Sequence, residues 1–141
     1  MSNFTDPKIQ YFEMIQNIIS RMAKNSFSLK GWAITLVTGV FALVDKDANW
    51  SYFLISYIPI LLFWFLDAYY LQKERKFRVL YNSQIHNKKL EPNFDLSPPK
   101  SNWKEKTYYI QSLMSLTESL FYLSLAIIST ILIFIIQKRV M

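Results

Sequence analysis

The chain has no cysteine, one histidine and two glycines among its 141 residues. These absences exclude thiolate nucleophiles, disulfide frameworks, CxxC metal knuckles, two-histidine metal sites and glycine-rich phosphate loops. Charge is scarce as well: Asp, Glu, Lys and Arg supply 18% of the residues, against 52% hydrophobic and 17% aromatic. A soluble domain carries more charge and less apolar surface. The apolar surplus is arranged in blocks. Residues 48–66 and 119–137 are uncharged for 19 positions each, and residues 31–44 for 14. About 20 residues cross the ~30 Å hydrocarbon core of a bilayer. The sequence therefore reads as an all-α integral membrane protein with three spans, and not as a soluble enzyme, a disordered tail or a secreted domain.

Basic residues orient the spans. Residues 1–7 lack the basic start of a cleaved secretory signal, so the spans themselves are expected to insert. Lys8, Arg21, Lys24 and Lys30 precede the first span, and Lys46 alone separates the first from the second. Lys73, Arg75, Lys76, Arg78, Lys88, Lys89, Lys100, Lys104 and Lys106 lie between the second and third. The positive-inside rule places the N-terminus and residues 72–106 in the cytoplasm. Lys138 and Arg139 then fall outside, which counts against a full third crossing, whereas 19 uncharged residues count for it.

Four regions follow. Residues 1–26 form an amphipathic cytoplasmic or interfacial helix. Asp6-Pro7 supplies its N-cap and first-turn proline, and Phe12, Ile15, Ile19 and Met22 recur at helical spacing. Residues 27–71 form a transmembrane hairpin turning at Asp45-Lys46-Asp47-Ala48-Asn49. In it, Lys30 extends toward headgroups, and Gly31, Thr35, Thr38 and Ala42, with Gly39 beside them, make a small-residue stripe for close helix packing or pore lining. Trp50, Tyr52 and Tyr57 at one end, and Trp64, Tyr69 and Tyr70 at the other, have the placement of interfacial belts. Pro59 is expected to kink the second span near its middle. Asp67 has three readings: contact with headgroup water, pairing with Lys73 or Arg75, or a ring of charge at a pore mouth. Residues 72–106 make a basic segment and linker, with the helix running on through residues 72–81. Residues 107–141 hold the third span, whose helix is expected to start at the Asn102-x-x-Glu105 box and run unbroken to Gln137, ~54 Å.

Two groups of residues are candidates for function. Ser112, Ser115, Ser119, Tyr122, Ala126, Ser129 and Ile133 recur at alternating spacings of three and four. Such a stripe faces protein or water, either packing on the hairpin or lining the axis of a homo-oligomeric pore with Glu118 at its mouth. The second group, Lys73, Arg75, Lys76, Arg78, Lys88, Lys89, Lys104 and Lys106, is interleaved with Phe77, Tyr81 and Trp103. It has the chemistry to hold phosphates and stack bases, although juxtamembrane basic residues also bind anionic lipid. Arg78 and His86 are too far apart for a ribonuclease-type Arg–His dyad, and no catalytic residue, cofactor or metal ligand is expected.

Residues 21–32 (RMAKNSFSLKGW), 65–71 (FLDAYYL) and 74–78 (ERKFR) resemble the small transmembrane effectors of bacterial antiphage defence, nearest the Hailong-type membrane effector. The resemblance covers residues 9–81. It implies a homo-tetrameric ion channel of the bacterial inner membrane, kept closed by a deoxyadenylate oligomer from a partner nucleotidyltransferase. Any ligand site would then fall on the cytoplasmic helix ends and residues 72–106, because no separate sensor domain is present. The expected function is a pore-forming effector, gated by a nucleotide or oligonucleotide, that depolarises the membrane when open. The alternative is a non-conducting anchor that recruits a soluble partner through residues 72–106.

Overall fold

A computed structural model describes residues 6–43, 50–86, 94–102, 104 and 106–140, with the side chains of Trp50, Tyr52, Arg139 and Val140 outside that description. All regular structure among the described residues is helical: α1 (Pro7–Leu43), a 3-10 segment (Trp50–Ser56), α2 (Tyr57–Ile85), α3 (Tyr109–Leu113) and α4 (Leu116–Val140). Three helical stretches, Pro7–Leu43, Phe53–Ile85 and Leu116–Lys138, are long and apolar enough to cross a membrane. Their outer faces keep Trp32, Ile58, Leu62, Leu120 and Ile127 exposed.

Asp6 opens α1 as its sequence requires. Its Oδ1 accepts the Lys8 amide at 2.9 Å, and its carbonyl accepts Gln10 N–H at 3.1 Å. The helix then runs without interruption for 37 residues, ~55 Å, so the amphipathic helix and the first span are one rod and not two elements. Nothing in residues 24–30 breaks it, since that stretch contains neither proline nor glycine. Two apolar clusters lie along its length. Near the start, Tyr11, Ile15 and Ile19 pack on Leu80 of α2, flanked by Phe77, Tyr81 and Leu96. Farther along, Ala33 and Val37 meet Ile60 of α2 and Tyr122 of α4.

Several expectations need correcting. Within one copy of the chain the stripe Gly31, Thr35, Thr38 and Ala42 is exposed, and added β-carbons at Gly31 and Gly39 would meet nothing within 4 Å, so it is not the face by which α1 packs on its own bundle. The inward face of α1 is instead Ala33–Val37, offset around the helix and carrying more apolar area to bury. Pro59 falls at the third position of α2, three residues after the 3-10 segment ends, so it stands near the change from 3-10 to α-helix and not in the middle of a uniform α-helix. Trp64 is turned inward, its ring stacked on Tyr122 at 6.1 Å, so it does not belong to an outward-facing belt. The Asp45–Asn49 turn lies outside the described residues.

The single long third helix is also absent. Residue 105 of the Asn102 box lies outside the description, and Asn102 instead closes a turn with Thr107, whose amide and hydroxyl both bond the Asn102 carbonyl at 3.2 and 3.0 Å. Lys106 within that turn has a left-handed φ of 55°. Helix resumes at Tyr109, breaks at Met114-Ser115 and restarts at Leu116.

Residues 94–101 are irregular but tethered. Asp95 accepts the Tyr11 hydroxyl on its carbonyl at 2.6 Å, while its carboxylate accepts from Ser97. The Ser97 hydroxyl and amide hold that carboxyl below its usual range. The turn keeps this support at neutral pH and loses it as pH falls through the depressed value. Ile15→Ala should destabilise the Tyr11–Leu80 cluster by about 2–5 kcal/mol and release residues 94–101. Limited proteolysis within that segment checks it: unchanged cleavage would mean that the cluster does not hold the segment.

Candidate functional site

Each uncharged run in the sequence is bounded by an ionisable residue, and the fold brings three of these together. Lys30 stands just before residues 31–44, Asp67 just after 48–66, and Glu118 just before 119–137. Lys30 Nζ donates to Asp67 Oδ2 and to Glu118 Oε2, the latter at 2.8 Å, and reaches Ser26 Oγ at 3.2 Å. The Tyr122 hydroxyl donates to the same Asp67 oxygen at 3.1 Å. The Asp67 side chain is fully buried, that of Glu118 is 4% exposed and that of Lys30 17%. One ammonium is thus shared by two buried carboxyls on separate helices. Neither the headgroup-facing Lys30 nor an Asp67 paired with Lys73 or Arg75 is what forms; once α1 and α2 pack, the nearest opposite charge is across the helix interface.

The stripe Ser112, Ser115, Ser119, Tyr122, Ala126, Ser129 and Ile133 faces α1 and α2 of its own chain. Ser112, Tyr122, Ser129 and Ile133 are buried, and Ser115, Ser119 and Ala126 half-buried. In this packing the stripe does not lie open to an axis between copies. Above the charged cluster, Val37, Ile60 and Ala126 form an apolar layer. Beyond it a second polar station appears: the Tyr57 and Thr130 hydroxyls bond at 2.6 Å, and the neighbouring Ser56 and Ser129 hydroxyls are buried without a hydrogen-bond partner. Along α4, Tyr122 and Ser129 are seven residues apart, ~10 Å.

The basic group is divided. Arg75 turns inward: Nη1 donates to the carbonyls of Gln111 at 3.1 Å and Lys106 at 3.4 Å and to Ser112 Oγ at 3.4 Å, and Nη2 to Ser115 Oγ at 3.1 Å. Two residues assigned by sequence to different sites, Arg75 and the start of the stripe, therefore form one structural junction. Trp64 Nε1 donates to the Leu113 carbonyl at 3.1 Å. These donors draw carbonyls away from the helix, and Ser115 N–H bonds Ser112 in a tighter turn at 3.1 Å, which accounts for the break between α3 and α4. Arg78 pairs with Glu74 at 2.7 Å on the surface, and Lys73 lies over the Tyr69 ring at 5.3 Å. Lys76 is half-buried, Lys104 and Lys106 are exposed, and Lys88 and Lys89 lie outside the described residues.

Two cavities adjoin the junction. One, of about 400 Å³, is lined by Lys30, Glu118, Glu74, Arg75 and Thr117. The other, of about 480 Å³, has Arg75, Lys106 and Gln111 on one side and Ile110, Met114 and Leu116 on the other. Among the described residues no group of three or more His, Cys, Asp or Glu is placed to hold a metal.

Lys30→Met leaves two buried carboxyls without their cation and should cost about 3–5 kcal/mol, whereas Glu118→Gln keeps one cation facing one carboxylate and should cost far less. Thermal unfolding in detergent, followed by circular dichroism, orders the two; equal midpoints would mean that the ammonium carries no packing role. Set beside known proteins, the chain matches no family model, no curated protein and no solved structure.

Proposed function

We propose that the chain is the subunit of a homo-oligomeric ion channel in a cell membrane, controlled from its cytoplasmic face. The observation that carries this reading is the polar interior of a bundle whose outer faces are apolar. Buried ionisable groups within helices of this kind are costly, and where they persist they mark ion or proton pathways. The seam runs from Lys30, Asp67 and Glu118 past Tyr122 to the buried Ser56 and Ser129 hydroxyls, interrupted by the Val37–Ile60–Ala126 layer. An apolar layer between two polar stations is a closed gate of the dewetting kind. The outward-facing Gly31–Thr35–Thr38–Ala42 stripe supports association of copies, because small residues let helices approach closely.

Control by an anion fits the basic surface left after Arg75 is spent internally, namely Lys73, Lys76, Arg78, Lys104 and Lys106. Together with the resemblance to antiphage membrane effectors, this supports a nucleotide or DNA oligomer as the controlling ligand and membrane depolarisation in antiviral defence as the outcome. The Arg75 junction lies between that surface and α4, so a ligand drawing on Lys106 would act on the first turn of α4.

Planar-bilayer recording from the purified, size-characterised oligomer tests the proposal. Discrete currents altered by short DNA oligomers or cyclic nucleotides are expected. Charge reversal of Lys73, Lys76 and Lys106 together should raise the ligand concentration needed by about tenfold or more, as the loss of charge-assisted contacts implies. A folded oligomer silent under every condition would instead support a non-conducting anchor that recruits a soluble partner through residues 72–106.

A further inference from the structure

The charged cluster holds more negative charge than its ammonium neutralises. Within hydrogen-bonding reach of Lys30 Nζ are two carboxyls, and the second Asp67 oxygen, Oδ1, is buried with no hydrogen-bond partner. Two carboxyls, each all but buried and drawn onto one ammonium, cannot both stay ionised without a further positive charge. The surrounding elements do not supply it at contact distance. From α1 come Lys30 and the Ser26 hydroxyl; from α4 the Tyr122 hydroxyl, already donated to Asp67. From α2, Glu74 is engaged by Arg78, and Arg75 gives its hydrogens to the Gln111 and Lys106 carbonyls and to Ser112 and Ser115. Arg75 therefore attracts Glu118 across the cavity without bonding either carboxyl. A metal ion would sit against the Lys30 ammonium and be repelled by it.

We propose that the Asp67–Glu118 pair is a proton-binding site, in which Glu118 carries one proton and donates it to Asp67 Oδ1. The proton comes from bulk water through the 400 Å³ cavity on which Glu118 and Lys30 open, and returns by the same route. With it bound, the pair and Lys30 are neutral overall, and the partnerless Asp67 oxygen gains a donor. When it leaves, two carboxylates repel one another across the α2–α4 contact, and the end of α4 that moves is the one next to the Met114–Ser115 break. The inference stands whether or not the protein conducts ions.

Infrared spectroscopy of the full-length protein in lipid at neutral pH tests it without reference to current. The expected result is a carbonyl stretch of a protonated carboxylic acid, sensitive to deuterium exchange and equivalent to one carboxyl per chain. Both Glu118→Gln and Asp67→Asn should abolish it, since each leaves Lys30 with a single carboxylate. Absence of the band in the wild type, its persistence in both variants, or its loss on adding sodium at constant pH would overturn the proposal. Should either variant lack the wild-type helical content, carbon-13 labelling of the glutamate carboxyls in the wild type decides instead: the band moves if Glu118 carries the proton, and an unmoved band overturns the assignment.

Discussion

Placement of the Lys30 ammonium among three helices is the constraint on which the rest of the packing depends. Taking an ammonium and two carboxyls out of water costs several kcal/mol for each ion, and only close mutual contact offsets that cost. The three partners must therefore meet at one depth and one rotation. Lys30 to Asp67 fixes α1 against α2, Lys30 to Glu118 fixes α1 against α4, and Tyr122 to Asp67 fixes α4 against α2. Apolar packing alone would specify this register less sharply, because it is non-directional and tolerates shifts that a buried charge does not. Net stabilisation is not the main effect of such a cluster; its effect is that misregistered packings leave a buried charge unpaired.

A second device of the same kind operates where α3 meets α4. Backbone carbonyls at a helix end need donors, and here α2 provides them through Arg75 and Trp64. Gln72 extends the arrangement by donating to the Thr107 carbonyl at 2.9 Å, and the Tyr109 hydroxyl returns a bond to the Phe65 carbonyl at 2.9 Å. The entry of the chain into α4 is thus built on side chains of another helix. Arginine suits this position because its planar fork can serve several acceptors at once.

Much of the architecture was legible in the sequence, and the reasons are physical. Helical elements, the Asp6-Pro7 start and the continuation of α2 past Leu71 follow from local capping, propensity and the uncharged runs. Several of the outcomes that differ turn on tertiary contacts. Asn102 carries the composition of a helix start, but Thr107 offers it a competing turn. The small-residue stripe of α1 looks suited to close packing, yet larger apolar area one position round the helix wins the interior. The hydroxyl periodicity on α4 correctly signals a face turned from lipid-like surroundings, without saying which protein surface covers it. The charged cluster has a sequence signal of its own: Lys30, Asp67 and Glu118 each border an uncharged run on the side that the basic residues assign to one compartment, and charges at one depth on adjacent helices meet.

The uninterrupted length of α1 has a mechanical meaning. Lys30 lies 23 residues from Pro7 and 13 from Leu43, ~35 Å and ~20 Å along the rod. If the ammonium is the fulcrum, the two arms are unequal, and a tilt of the helix sweeps the Pro7 end almost twice as far as the Leu43 end. Small rearrangements where the apolar segments meet are thereby enlarged at the Tyr11–Leu80 contact, and a load applied there returns to Lys30 with leverage.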